Sequence, residues 1–423
     1  MNWDRRPTRL TDARSNDQLL YFTGPSTTAD DRSLVFLGDA ARPARGPYDP
    51  DALVDVWVLD RIDGGLGRLT SNRVGIRRSY VYFGGHPDAG IAPGSIALAA
   101  ARAIVCYLDG DVVRRVDVSS GRDREIGEII PGQVTGYGAL SDDGSRYCLP
   151  VISAAAFADL HAIDATVRAE GLVSHLLVFD AERGGIVDDI DVPDGWVTHV
   201  AFRPGDPTTI LFNHEWAEGS GRRRIWVSDR AGRRPLRPAG DDDGARVGPA
   251  TAADEVEHET WTRDGARIVY HGRYAPGPRP LAGRAFVGSI EVASGDSCEV
   301  ALPDGHTRYG HVATGPDGRL VTDGLAPDDA RGPASPASRV IPLRLDGADA
   351  PPEDDGGTWI ARLDADWTSG TIGWTPLARH GSSWSSQDAH PHPVFDHAGR
   401  SILYTSDVDG CRAVYEIPAD VPA

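Results

Sequence analysis

Residues 385–400 read SSQDAHPHPVFDHAGR, with His390 and His392 two residues apart, Pro391 between them and Gln387 three residues before the first. Imidazole nitrogens and an amide oxygen are ligands for divalent first-row metals. The same residues could also be polar side chains that happen to share one strand, so the other histidines have to decide. His258, His311 and His392 each precede a turn glycine (Gly265, Gly318, Gly399) by seven residues. Tyr137 stands at that position before Gly144, and His199 does if Asp206 takes the place of the glycine. One histidine at such a position is ordinary packing. Three at one register, with His390 a further two residues back and on the same strand face, form a candidate metal cluster. Gln387 joins it only if the preceding loop turns it inward. Three neutral imidazoles and an amide oxygen leave coordination positions for water and a substrate oxygen. That favours a hard, roughly octahedral divalent ion over structural zinc.

Such a register needs repeated elements. An apolar stretch, an Asp/Gly turn and a second apolar strand recur at 27–39, 139–151, 201–214, 260–272, 313–324 and 393–407, with a weaker copy at 95–111. Each is followed by a third strand, from VWVLD (56–60) to AVYEIPAD (413–420). Period-two runs broken by turn residues are strands and hairpins. Radial repetition of such units, with a fourth strand implied, makes an all-β, seven-bladed β-propeller. RPTRLTD (6–12) resembles GLGRLTS (65–71), the outer strand of the first blade, so the N-terminal strand is expected to close the ring. The chain 1–423 reads as one domain, with long surface-loop insertions near 153–172, 237–253 and 325–356.

The bulk properties exclude several functions. The 43 basic residues are all arginine and face 62 acidic ones, a formal net charge of −19. That charge argues against nucleic acid or an anionic membrane as partner. Cys106, Cys148, Cys298 and Cys411 form no CxxC pair, so a zinc knuckle or redox motif is not expected. A polar N-terminus and the lack of an apolar run of membrane-spanning length predict a soluble, cytoplasmic protein, monomer or homodimer.

The segment LARHGSSWSSQDAHPHPVFDHAGRSILYTSDVDG (377–410) resembles the last blade of the bacterial oligogalacturonate lyases, polysaccharide lyase family 22. GHVATGPDGRLVTDG (310–324), EHETWTRDGARIVY (257–270), RRIWVSD (223–229) and LLYFTGPSTTADDRSLVFLGD (19–39) resemble further segments of that family in the same order. The resemblance implies a seven-bladed propeller and a metal, usually manganese, held by His311, Gln387, His390 and His392. It points to His258 as general base and to Arg224 as catalytic arginine, with Arg222 and Arg223 adjacent. NHEW (213–216) matches the element before that arginine and adds His214; HGSSW (380–384) adds Trp384. Tyr137, His199, His214 and Trp384 are the candidate substrate contacts. The three insertions exceed what the family leads one to expect, which leaves the exact uronide open.

The implied reaction is β-elimination on a short acidic oligosaccharide with α-1,4-linked uronic acids. A base takes the C5 proton, the C4–O bond breaks, and a 4,5-unsaturated uronate leaves. The sugar carboxylate makes that proton weakly acidic, so a divalent cation and Arg224 would neutralise it. A non-catalytic binding propeller and a metal-dependent hydrolase or lactonase are the competing readings, the last with Glu259 and Asp388 as further ligands. His86, His161, His175, His271, His306 and His397 are expected in loops or at solvated turns, and Arg77 and Arg78 as exposed charge. His380 is expected either to pack or to shape a subsite.

Overall fold

The computed structural model describes residues 7–12, 15–42, 52–73, 90–159, 162–193, 195–215, 223–237, 254–278, 281–301, 310–323, 359–383 and 389–420. These form seven antiparallel sheets, the seven blades of a β-propeller. Blade one consists of Asp17–Leu19, Ser33–Asp39, Val54–Asp60 and Leu66–Arg68; the others repeat that inner-to-outer order. Blade three has five strands, because its inner strand is split into Gln133–Thr135 and Ala139–Leu140. The fourth strands implied by the sequence are present, for example Asp123–Glu128 and Ser297–Ala301.

Each strand presents alternate side chains to the two faces of its blade, and the core therefore lies between blades. Successive apolar clusters join blades one and two (Val35, Val56, Val105, Tyr107), two and three (Ile104, Tyr147, Phe179), and so on around the ring. One cluster joins six, seven and one, through Ile360, Leu403, Tyr404 and Phe36. Burying each such side chain contributes about 1.5–3 kcal/mol. The N-terminal strand closes the ring as expected: Thr8 pairs with Glu416 and Arg9 with Tyr415. Arg61 of blade one reinforces the seam with an ion pair to Glu416 at 2.5 Å.

Two expectations change here. The stretch 153–172 is not a plain loop but holds a 3-10 turn, Ala154–Phe157, and an α-helix, Ile163–Glu170. Its apolar residues Ala156 and Val167 pack on Val134 and Ile152 of blade three, so the insertion carries its own small core. In blade four the left-handed turn residue is Gly205 (φ +73°), not Asp206, so His199 sits one position nearer the turn than its counterparts. Of the other insertions, 238–253 and 325–356 lie outside the described residues. Among the described residues no helix is long and apolar enough to cross a membrane.

Candidate functional site

The inner strands run in one direction, so residues at equal register gather at one end of the channel. His311 immediately precedes the inner strand Val312–Thr314, and Asp323 follows its neighbour Leu320–Thr322, directly across the ladder. The buried Asp323 carboxylate lies 2.7 Å from Nδ1 of His311 and also accepts the backbone N–H of His311 at 2.7 Å. The two contacts fix the ring and leave Nε2 pointing inward. Nε2 of His392 lies 3.1 Å from that atom, and the His390 ring centroid is 5.5 Å from that of His311. One ligand atom from each of His311, His390 and His392 falls within 4.8 Å of the others.

His390 and His392 do not project from a regular strand, as period-two spacing had suggested. The inner strand of blade seven begins only at Val394, and His392 adopts a left-handed φ of +45° just before Pro393. A residue before proline is normally extended. The irregular backbone, not strand alternation, brings the two rings together, and such strain is held only where its surroundings enforce it.

His258 belongs to a separate group with Glu257 and His271. It sits at a bulge in Glu255–Trp261, where the pairing register shifts between Glu257 and Thr260, with φ +53°. Its Nδ1 is 2.6 Å from Nε2 of His271, and its ring centroid is 4.3 Å from that of His311. His271 was expected at a solvated turn. It is instead 1% exposed, on the strand Arg267–Arg273 that pairs with the His258 strand.

Arg224 lies just before the strand Ile225–Asp229 of blade four, and its Nη2 meets Oε2 of Glu215 at 2.5 Å. Glu215 is held in turn through Oε1 by the hydroxyl of Thr198 at 2.9 Å and by the amide of Asn213. Burial alone would pull the Arg224 guanidinium down, but Glu215, Glu257, Glu259 and Glu255 around it outweigh that and raise it. The arginine is therefore a fixed positive charge. His214 donates its backbone N–H to the Arg224 carbonyl at 2.7 Å, and its ring meets Trp226 edge-on, centroids 5.7 Å apart. The carbonyl of Arg223 accepts the Trp226 indole N–H at 2.8 Å.

Tyr137 and His199 meet in a short bridge between blades three and four. The approach requires glycine at 136, where a Cβ would come within 2.2 Å of the Thr198 carbonyl. Both ring nitrogens of His199 are engaged: Nδ1 is 3.0 Å from the Thr198 hydroxyl and Nε2 is 3.0 Å from Oε1 of the buried Glu259. His199 therefore holds Glu259 in place. Gln387, Trp384, Asp388, Arg222, His86, His161, His306, Arg77 and Arg78 lie outside the described residues. His380 is buried, its Nδ1 accepting the Ser382 N–H at 2.9 Å. His175 lies on the surface beside Asp189 and Asp191, and His397 is partly buried.

Sequence reasoning missed the floor of the site. Tyr21 stacks on Tyr137, centroids 3.6 Å apart and planes 7° apart, and meets His392 edge-on. Phe22 packs on His311, His392 and His258 at 5.1, 5.9 and 5.8 Å. The two also line a cavity of about 510 Å³, with Arg263, Asp142, His397 and Phe395 in its wall, whose lining does not include His258, His311, His390 or His392. No register marked them: the position seven residues before the left-handed turn residue Asp31 is Gly24, and the aromatic pair lies two and three residues earlier.

The donor set suits a divalent metal. Burial, and then the neighbouring His311 and His390, push the His392 imidazole well below its ordinary value, so that it is neutral and keeps a lone pair. A carboxylate on the far nitrogen of a converging imidazole is the usual outer-shell support of a metal-binding histidine.

No protein-family model matches the chain. Over 233 residues it is 26% identical to an oligogalacturonide lyase of Pectobacterium atrosepticum, and 25% identical to an oligogalacturonate lyase of Dickeya dadantii. Each match covers 52% of this chain and 49% of the relative, so the chain spans about half the length of the curated relatives it matches. In fold it is similar to a solved oligogalacturonate lyase in complex with manganese: TM-score 0.69, 20% identity, 97% of this chain and 92% of the other covered. The resemblance is to oligogalacturonate lyases. That likeness covers about half the chain in sequence and nearly all of it in fold.

Proposed function

We propose that the protein is a metal-dependent lyase that cleaves short α-1,4-linked oligogalacturonides, or closely related uronides, by β-elimination. The observation that carries this reading is the sorting of four channel histidines into two groups. His311, His390 and His392 bring ligand atoms together, while His258 turns Nδ1 away to His271.

His311, His390 and His392, with Gln387, would hold a divalent ion such as manganese. When bound, that ion neutralises the sugar carboxylate and stabilises charge that develops beside it. Arg224 adds a second positive charge for the same carboxylate, with Glu215 orienting its guanidinium. His258 takes the C5 proton; the C5–H electron pair forms the C4–C5 double bond, and the C4–O pair leaves on oxygen. The leaving oxygen takes its proton from water or from protonated His258. Tyr21 and Phe22 close the channel beneath these groups and keep water from the reacting carbon. A hydrolase with Glu259 as metal ligand is disfavoured, because that carboxylate already meets His199. The reading accommodates the charge of the chain: an acidic protein can take an acidic sugar where cationic groups are gathered in one channel.

The direct test is ultraviolet absorbance of the unsaturated product from digalacturonate and trigalacturonate, with manganese and after chelation. The expected result is a signal lost with chelator and restored by metal. No product from any acidic oligosaccharide of a wider panel would overturn the lyase reading.

A further inference from the structure

We propose that His271 is a positioning residue for the base: it accepts a hydrogen bond from Nδ1–H of His258 and so holds the neutral tautomer whose Nε2 lone pair faces the substrate. The inference rests on the reading of His258 as the base. Two imidazole nitrogens 2.6 Å apart must share a proton. If His271 supplied it, His258 would accept at Nδ1 and carry its own proton on Nε2, where it could take nothing from a substrate. If His258 supplies it, Nε2 is the nitrogen that keeps the lone pair a base needs.

The second arrangement follows from the reading of His258 as the base, and the packing around the ring holds it in place. The His258 side chain is 24% exposed, whereas His271 is 1% exposed behind it. The contact with His271 thus lies on the buried side of the His258 ring, through Nδ1. Phe22 lies edge-on to the His258 ring, and His311 packs against it with centroids 4.3 Å apart. The ring is therefore restrained by packing as well as by the hydrogen bond. The bulge and the left-handed backbone at His258 interrupt the ladder at the point where the two rings meet. An ordinary antiparallel register would direct His258 along the strand alternation; the bulge re-aims it. The tautomer of a catalytic histidine is set by the partner on its other nitrogen.

His271→Phe keeps the volume and removes the acceptor, while His271→Gln restores an amide acceptor. In steady-state kinetics on trigalacturonate, His271→Phe should lower kcat about 100-fold, within the range that general-base catalysis supplies. KM and bound manganese should change by less than about twofold, and His271→Gln should recover about tenfold in kcat. A histidine side-chain nitrogen NMR spectrum, taken before manganese is added and assigned with His258→Ala, should show Nδ1 of His258 protonated in the wild type and a tautomer mixture in His271→Phe. An unchanged kcat, or equal collapse of kcat, KM and metal content in both variants, would overturn the proposal. So would a His258 tautomer that does not respond to residue 271, or a metal ion found between the two rings. If the wild type releases no unsaturated product, the lyase reading fails, and the NMR comparison still decides the hydrogen bond by itself.

Discussion

Asp323 receives two hydrogen bonds from one residue, His311: the ring Nδ1 and the backbone N–H each lie 2.7 Å from a different carboxylate oxygen. The side chain is fully buried, so neither contact is shared with water. In Asp323→Asn one of the two acceptor oxygens becomes an NH₂ group, and one His311 contact must be lost. Outer-shell substitutions of this kind lower metal affinity about 10- to 100-fold. Manganese titration by calorimetry should show that loss while the fold, monitored by circular dichroism, is retained. An unchanged affinity would mean that His311 is not a ligand.

The two histidine groups predict opposite phenotypes. His392→Ala should remove bound metal and activity together, because its Nε2 converges with that of His311 at 3.1 Å. His258→Ala should abolish turnover and leave metal content intact, because its Nδ1 is directed to His271. Elemental analysis beside the absorbance assay separates them. Metal loss in His258→Ala with retention in His392→Ala would show the roles to be exchanged.

Much of this was legible in the chain because it depends on period and spacing. Strand alternation and a left-handed turn residue recur in every blade, so Gly265, Gly318 and Gly399 carry the register of His258, His311 and His392 directly. The closing strand could be read from RPTRLTD for the same reason. What escaped were partners across a ladder. Asp323 and His271 lie 12 and 13 residues from the histidines they support, on the neighbouring strand. Nothing in local pattern distinguishes them from other residues of that strand. The bulge that aims His258 adds no unusual residue type, and period-two reasoning fails at His390 and His392 because their backbone is not a strand. Tyr21 and Phe22 act from blade one as an apolar floor, and a search for polar chemistry passes over such residues.

Glu215 should matter through Arg224. The arginine stays charged without it, since Glu257, Glu259 and Glu255 also surround it. What Glu215→Gln loses is the carboxylate at 2.5 Å that sets the guanidinium's orientation. A hydrogen bond to a charged group is worth about 1.5–3 kcal/mol, so kcat/KM on trigalacturonate should fall about 10- to 100-fold with metal content unchanged. Activity within twofold of wild type would show that Arg224 does not act on the substrate in this orientation.

Glu259 makes a prediction about acid stability. Burial would raise its carboxyl, but His199 at 3.0 Å and Arg224 outweigh that and hold it below its ordinary value of 4.5. A folded value below the unfolded one means the stabilisation is fully present above about pH 4.5 and is lost as pH falls through the folded value. Glu259→Gln removes that contribution and leaves His199 facing an amide inside the protein. Breaking one side of a buried pair costs about 3–5 kcal/mol. Urea denaturation should therefore show the variant clearly less stable than the wild type at pH 7. The gap should narrow as pH drops below 4.5, because only the wild type has this group left to protonate. The other carboxylates titrate in both proteins and cancel in the difference. Two stability curves that run parallel from neutral to acid pH would show that the Glu259 carboxyl titrates alike in the folded and unfolded protein, so that His199 and Arg224 do not hold it below its ordinary value.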